Sequence, residues 1–499
     1  MQTFVVSIVV MIVAGWAATG TPLRGDQALF TLYAERMSHG EVLYRDCWDV
    51  TNLGVYWFYQ AAGTCFGFTE DGIHLFEWLW FTALVLSVQQ FIRFRCGGES
   101  IMPALFIGGW YYCTATADPS HLTKAEGLVA FPLFVAVMAL TRGLERNRWG
   151  WCFLAGCAGG IVVLFKFAFA LCLLAGWLPA LILLLKRRQI LSLLTMVGGF
   201  AVPLGLAVLS FARQGSLNIA FETLFVTPRE MLTVAEPAGM TRLMLSVRWF
   251  VETGTPLIVL AAAGLLATPK WWRDPFLLGY VLILPASVVV ILIQKWSWWT
   301  YHFQLLSLPL AVIACVTWLN LSSLMATKFQ TRRWMLLLPL LLLPVLLHGA
   351  SSYLRLLQHR MGLTRLDRIS ARFDAGNAYR IANSETAWLG DAPDGAMFIA
   401  GDPLFHTLSH RPMATSLHGW SLELFTPTLW QRLLRELKAN PPRHIYINRG
   451  ELGYESLITA KSPELLTWIR EHYRINRESK KRRLARMASL KPGTLTLSP

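Results

Sequence analysis

The sequence predicts a polytopic α-helical membrane protein of about 11 transmembrane helices, with a small C-terminal α/β soluble domain on the non-cytoplasmic side. Three observations predict it. The chain of 499 residues is 54% hydrophobic and only 15% charged, with a mean hydropathy of +0.44. Soluble domains carry roughly 25% charged residues, so lipid must replace water over much of this surface. Long apolar runs recur from the first residue to about residue 350 and then stop, leaving the length and polarity of one soluble domain. This composition excludes disorder, collagen-like repeats and a disulfide-stapled miniprotein.

A helix needs about 20 apolar residues to cross the hydrocarbon. Spans are expected near 3–20, 74–92, 101–117, 125–141, 150–165, 167–185, 190–211, 246–268, 276–293, 301–320 and 334–350. The first ends in Ala17-Ala18-Thr19-Gly20, small enough for signal cleavage, but Met1-Gln2-Thr3 lacks a basic flank, which favours a retained anchor. The aromatic segment 53–68 reads as a helix lying at the interface. Residues 1–350 form the membrane domain, whose outer loop 21–73 carries amphipathic helices.

The net charge is +15, of which the soluble segment from 351 onward carries +9. No interleaved basic and aromatic motif points to nucleic acid, so the excess is assigned to a membrane surface. Orientation follows from the basic bias of short loops. Arg93/Arg95, Arg142/Arg146/Arg148, Lys186-Arg187-Arg188, Lys270/Arg273 and Lys328/Arg332/Arg333 supply 13 basic residues against three acids, Glu99, Glu145 and Asp274. With eleven spans all five loops fall on the cytoplasmic side. Loop 21–73, with three basic residues and seven acids, then faces outward, as do 118–124, 212–245, 294–300 and the soluble domain. This places the protein in the cell (inner) membrane with its polar face on the periplasmic or extracellular side.

Eight cysteines show no Cys-x-x-Cys spacing and none lies in the soluble domain; only Cys47 and Cys65 are placed to pair. Lys166 splits residues 150–185 and is read either as snorkelling at a helical turn or as a ligand contact. In the soluble domain (351–477), 396–400 and 444–448 read as strands, and 428–439 (Thr428 as N-cap) and 463–472 as helices. Residues 478–499, with Lys480-Lys481-Arg482-Arg483, read as a flexible basic tail.

Walker A, His-Glu-x-x-His, Gly-x-Ser-x-Gly and Gly-x-Gly-x-x-Gly patterns are all missing. The chemistry-bearing residues gather in the first outer loop. Asp26 follows the first span by a few residues, so its carboxylate sits near the membrane surface, either as a proton acceptor for an incoming nucleophile or as the N-cap of a helix over 28–38. Gly40-Glu41-Val42-Leu43-Tyr44-Arg45-Asp46-Cys47-Trp48-Asp49 ends that stretch.

An acid after the first span, an amphipathic helix, Gly-x-x-x-Tyr-x-Asp and an aromatic interfacial segment together resemble the C-type (GT-C) membrane glycosyltransferases. The resemblance is to their dolichyl-phosphate-mannose protein mannosyltransferase and aminoarabinose transferase group. It implies that Asp26, here followed by Gln27, is catalytic, and that Glu126 is a second functional acid. Without it, Glu126 reads as a buried acid paired with Lys124 or a backbone donor. Gly156…Gly159-Gly160…Lys166-Phe167 and the segment Gln294 to His302 resemble further motifs of that family, the latter facing a lipid-linked donor. One departure stands out: where many members carry Lys-Pro after Tyr-x-Asp, this chain has Val50-Thr51-Asn52-Leu53. The donor phosphate must then be met by Arg45, Lys124, Lys295 or His302, with Lys295 preferred.

The resemblance thus implies a hexosyl- or pentosyltransferase that moves a sugar from a polyprenyl-phosphate donor to a protein, lipid or glycan acceptor, with inversion. Catalysis is assigned to Asp26 and Glu126, and donor binding to Arg45, Asp46, Asp49, Lys124, Lys295, Tyr301 and His302. Asp26, Asp46, Asp49 and Glu126 also offer oxygen ligands for a divalent cation, Mg²⁺ or Mn²⁺. A lipid or lipid-linked-glycan flippase is the first alternative, and would show paired broken spans in two halves. An O-antigen polymerase or ligase is the second, and would show a large late outer loop where this chain has only 294–300.

Overall fold

The computed structural model describes residues 2–234, 238–295, 297–329, 353–354, 357–358, 361–362, 378–389, 395–448, 453–478 and 485–490. Lipid offers no partner for backbone N–H and C=O groups, so apolar runs close their hydrogen bonds internally as helices. The membrane part contains α1 (Gln2–Gly20), α2 (Asp26–Ser38), α3 (Leu53–Phe66), α4 (Glu70–Cys96) and α5 (104–117). It continues with α6 (Ala125–Arg146), α7 (Trp149–Phe165), α8 (Phe167–Lys186), α9 (Ile190–Arg213) and α10 (217–234). The last three are α11 (Met240–Leu266), α12 (Pro275–Ile293) and α13 (Thr300–Met325). Eight helices among the described residues are long and apolar enough to cross a membrane: α1, α4, α6, α8, α9, α11, α12 and α13. The expected spans α5 and α7 are helical but shorter. The eleventh, 334–350, lies outside the described residues.

Small residues let the helices approach. A Cβ on Gly156 would strike the Met196 carbonyl oxygen, and one on Gly199 the Phe153 carbonyl oxygen, so α7 and α9 lie backbone against backbone. Pro203 of α9 takes the space that a Cβ on Gly160 would need. The glycine run read from the sequence is therefore a packing stripe leading to the helix break at Lys166.

The bundle has two chemically different ends. At one, Arg95 bonds Glu145 at 2.8 Å and Asp274 at 2.6 Å, and Arg187 donates to the Leu144 carbonyl at 3.3 Å. Four of the five basic loops thus meet at this end. At the other, Arg24 pairs with Asp118 at 3.3 Å, His121 with Thr300 at 2.8 Å, and Gln27 donates to the Pro119 and Leu122 carbonyls. Loops 21–52, 118–124 and 294–300 come together there, as the loop charges predicted.

The soluble domain contains α14 (Ala378–Thr386), β1 (Met397–Ala400), α15 (Leu404–Ser409), α16 (Pro427–Ala439), β2 (His444–Asn448), α17 (Tyr454–Lys461), α18 (Pro463–His472), β3 (Tyr473–Glu478) and β4 (Ala485–Leu490). The sheet order is β1-β2-β4-β3, with β1 and β2 parallel and the other pairs antiparallel. Leu429, Leu433 and Leu437 bury one face of α16 in the core that the strands Phe398 and Ile445 also line.

Three readings of the sequence change. The cap of α16 is Thr426, whose hydroxyl accepts from Leu429, because Pro427 takes the first helical position. The flexible tail begins with structure: 485–490 is the strand inserted between β2 and β3, a pairing imposed by tertiary contact on a segment of weak pattern. Cys47 and Cys65 are not bonded; the first is buried and the second exposed.

Candidate active site

Asp26 begins α2, and it is not the helix cap. Gly25 precedes the helix at φ +52, without a side-chain cap bond, and this frees the Asp26 carboxylate to point elsewhere. Its Oδ2 accepts from Lys124 Nζ at 2.7 Å, and its Oδ1 accepts from the indole Nε1 of Trp420 at 2.8 Å. Burial alone would push this carboxyl up. The Lys124 ammonium, the hydrogen bonds from Lys124 and Trp420 and the neighbouring His418 outweigh it and hold Asp26 below the ordinary value. The side chain keeps 30% exposure, so an acceptor can reach it.

Glu126 stands in the first turn of α6 and is 4% exposed. It pairs with Lys166 at 3.0 Å and faces His302 Nε2 at 3.8 Å. Its partner is therefore neither Lys124 nor a backbone donor alone. Lys166 does not snorkel: it occupies the break between α7 and α8 in extended backbone, and its ammonium also donates to Gln294. Such a buried acid persists only with a cation held beside it.

Tyr301 and His302 lie between the two pairs. Lys124 Nζ sits 4.6 Å from the Tyr301 ring centre, and the Tyr301 and His302 rings meet edge to face at 4.6 Å. His302 Nδ1 and Gln304 Oε1 are buried with no protein partner among the described residues. Unsatisfied polar atoms beside buried charges mark a place where a ligand or water completes the bonding.

The loop carrying Lys124 is held from beneath. Glu77 of α4, fully buried, accepts the Thr123 backbone N–H and the Tyr111 hydroxyl and faces His74. Thr123 itself takes φ +53, a conformation that needs such support. His121 beside it stays neutral, burial pulling it down to about 4.

The remaining expected residues go elsewhere. Arg45 and Asp46 pair with each other at the exposed edge, where Asp46 also accepts the Val42 N–H and closes the turn of Gly-x-x-x-Tyr-x-Asp. Asp49 is buried, bonded to the Tyr56 hydroxyl at 2.5 Å and facing His418 at 3.5 Å. Burial would raise Asp49, but His418 and the hydroxyls hold it low. Lys295 is exposed, next to Gln294. Among the described residues no three His, Cys, Asp or Glu side chains gather as a metal site; Asp26, Asp46, Asp49 and Glu126 are each committed to separate partners.

Sequence reading missed Trp420, His418 and Glu77, and named Gln294 only as the start of the late outer segment. Trp420 and His418 belong to the soluble domain and nothing in their local pattern signals a site; Gly419 between them is packed so that a Cβ would strike the Ile399 carbonyl oxygen of β1.

No family model matches this chain, and no curated protein sequence does. Solved structures do. ArnT (aminoarabinose transferase) from Cupriavidus metallidurans, bound to undecaprenyl phosphate, superposes with a TM-score of 0.58 at 14% identity over 99% of this chain and 98% of that one. The Archaeoglobus fulgidus oligosaccharyltransferase, tethered to an acceptor peptide containing the NVT sequon, gives 0.50 at 10% identity over 95% of this chain and 72% of that one. The likeness is one of fold, and it takes in the membrane part and the soluble domain together.

Proposed function

We propose that this protein is a glycosyltransferase that moves a sugar from a polyprenyl-phosphate donor to an acceptor hydroxyl at the outer face of the cytoplasmic membrane. The observation that carries the reading is the pairing of Asp26 with Lys124 and of Glu126 with Lys166, on either side of Tyr301 and His302 at the end of the bundle away from the basic loops. The fold of an ArnT solved with undecaprenyl phosphate supports a lipid-linked donor.

In this reading the donor's lipid stays in the bilayer and its phosphate and sugar rise to the site. Asp26 is ionised at neutral pH and takes the proton from the acceptor. The acceptor atom attacks the anomeric carbon opposite the phosphate, the bond from that carbon to the phosphate oxygen breaks, and the configuration inverts. The electron pair leaves with the polyprenyl phosphate, whose charge is met by Lys166, with Lys295, exposed and one residue on from the Lys166 partner Gln294, as the second cation in reach of a headgroup. Glu126 holds Lys166 and His302 toward the donor.

The test is Asp26→Asn in native membrane vesicles that supply endogenous donor and acceptor. Consumption of lipid-linked sugar, followed by mass spectrometry, should fall to background while the protein stays folded. Unchanged consumption removes the assignment.

A further inference from the structure

The soluble domain does more than stand above the membrane part. It grips the dipeptide Gly25-Asp26 at two points. Asp402, in the turn after β1, accepts the Gly25 backbone N–H at 2.9 Å with the same oxygen that accepts the Leu404 N–H at the start of α15. Trp420 lays its indole against Gly25, where a Cβ would come within 3.1 Å of Cζ2, and donates its N–H to Asp26 Oδ1 at 2.8 Å. We propose that Trp420 is a positioning residue of the active site: the soluble domain completes the site by fixing the rotation of the Asp26 carboxylate.

Trp420 is itself fixed from the membrane side. His418 Nδ1 accepts the Trp420 backbone N–H at 3.2 Å, while its ring lies 6.1 Å from both Trp48 and Tyr33 and its Nε2 faces Asp49. Trp48 in turn donates its backbone N–H to Ser416 at 2.9 Å. Loop 21–52 and the segment 416–420 therefore hold each other. One Asp26 oxygen is bound by Lys124 and the other by the indole, so the carboxylate plane cannot turn and its remaining lone pairs point in one direction. A proton acceptor displaced or turned by a fraction of an ångström loses rate steeply.

This inference rests on the reading of Asp26 as the proton acceptor, and the test separates the two. Two variants of the full chain are made: Trp420→Phe, and replacement of Trp420 by 3-benzothienylalanine, which keeps the shape and loses only the N–H donor. Transfer in native membrane vesicles is followed against pH beside Asp26→Asn. The Asp26 titration is read independently, in nanodiscs, as the carboxyl infrared band that Asp26→Asn removes. The groups facing Asp26 are Lys124, His418, Tyr301, His302, Tyr59, Glu423 and Tyr454, and neither replacement of Trp420 removes any of them.

Loss of the N–H is expected to slow transfer about tenfold to a hundredfold and to move both the acid limb and the infrared midpoint upward. A benzothienylalanine protein with wild-type rate, acid limb and midpoint overturns the positioning role while leaving Asp26 in place. If Asp26→Asn itself retains transfer, the proposed function fails, and an infrared midpoint unmoved by the same replacement then overturns the contact on its own. The isosteric replacement decides the matter where Trp420→Phe fails to fold.

Discussion

Lys166, at the break between α7 and α8, forms a 3.0 Å ion pair with Glu126 in the first turn of α6, tying that break to a third helix at the level of the site. The glutamate side chain is 3% exposed and the lysine 32%. Removing the lysine leaves a buried carboxylate with only His302 near it, and breaking such a pair costs about 3–5 kcal/mol, with the partial exposure of Lys166 placing it at the lower end. Lys166→Met should therefore destabilise the protein by about 3 kcal/mol, read by unfolding in detergent. Lys166→Met with Glu126→Gln should recover most of the loss, since no uncompensated charge remains. A double variant no more stable than the single one would refute the pairing.

Glu77 predicts an effect at a distance. It touches neither Asp26 nor Glu126, but it accepts both the Tyr111 hydroxyl and the N–H of the left-handed Thr123. Glu77→Leu strands the Thr123 N–H in the interior, at about 1–3 kcal/mol, leaves the Tyr111 hydroxyl only the His121 carbonyl at 3.4 Å, and loosens the neighbouring Lys124. Stability and transfer should fall together. Glu77→Gln, which keeps an acceptor oxygen, should retain most of both. Equal behaviour of the two variants would rule out a hydrogen-bonding role.

The depressed ionisation of Asp26 fixes the sign of its pH dependence. Its folded value lies below the ordinary 3.8, so the folded state binds the proton less readily than the unfolded chain does. The Asp26 contribution to stability is then fully present above the unfolded value of about 3.9 and is lost as pH falls through the folded one. The gap in unfolding temperature between wild type and Asp26→Asn should be constant near neutrality and shrink only in strong acid. A gap that instead widens as pH falls from 7 to 5 would show a raised carboxyl.

Much of this was legible in the sequence, and the boundary is physical. Apolar run length set the spans, and loop charge set which loops share an end, because both signals are local and repeated. Asp26 stood out as an acid beside a span end, and Glu126 through the resemblance of its loop. Their partners did not, since Lys166 lies 40 residues from Glu126 and Trp420 lies 394 from Asp26. Only the packing of the soluble domain on loop 21–52 brings the indole to the carboxylate. The strand 485–490 was hidden for the same reason: its basic, weakly patterned sequence becomes a strand only between two others.

The orientation can be tested with native thiols. Cys65, at the end of α3, and Cys96, the last residue of the 27-residue helix α4, are both exposed. At about 1.5 Å rise per residue, α4 spans about 40 Å, enough to separate its ends by a bilayer. A membrane-impermeant maleimide added to intact cells should label Cys65 and spare Cys96, and inverted vesicles should reverse the pattern. Labelling of Cys96 from outside would invert the topology and move the site to the cytoplasmic face.

Two adjacent glycines of α9 should respond in opposite ways. A Cβ at Gly199 lands on the Phe153 carbonyl oxygen of α7, whereas one at Gly198 meets nothing within 4 Å. Gly199→Ala must push two backbones apart, and overpacking of this kind costs about 1–3 kcal/mol. Because α7 ends at Lys166, the displacement should also weaken the pair with Glu126 and reduce transfer. Gly198→Ala replaces the poorest non-proline helix former with the best and should be neutral or slightly stabilising, by up to about 1 kcal/mol. The two variants differ by one position and by no chemistry. If their unfolding temperatures match, the close approach of α7 and α9 is refuted.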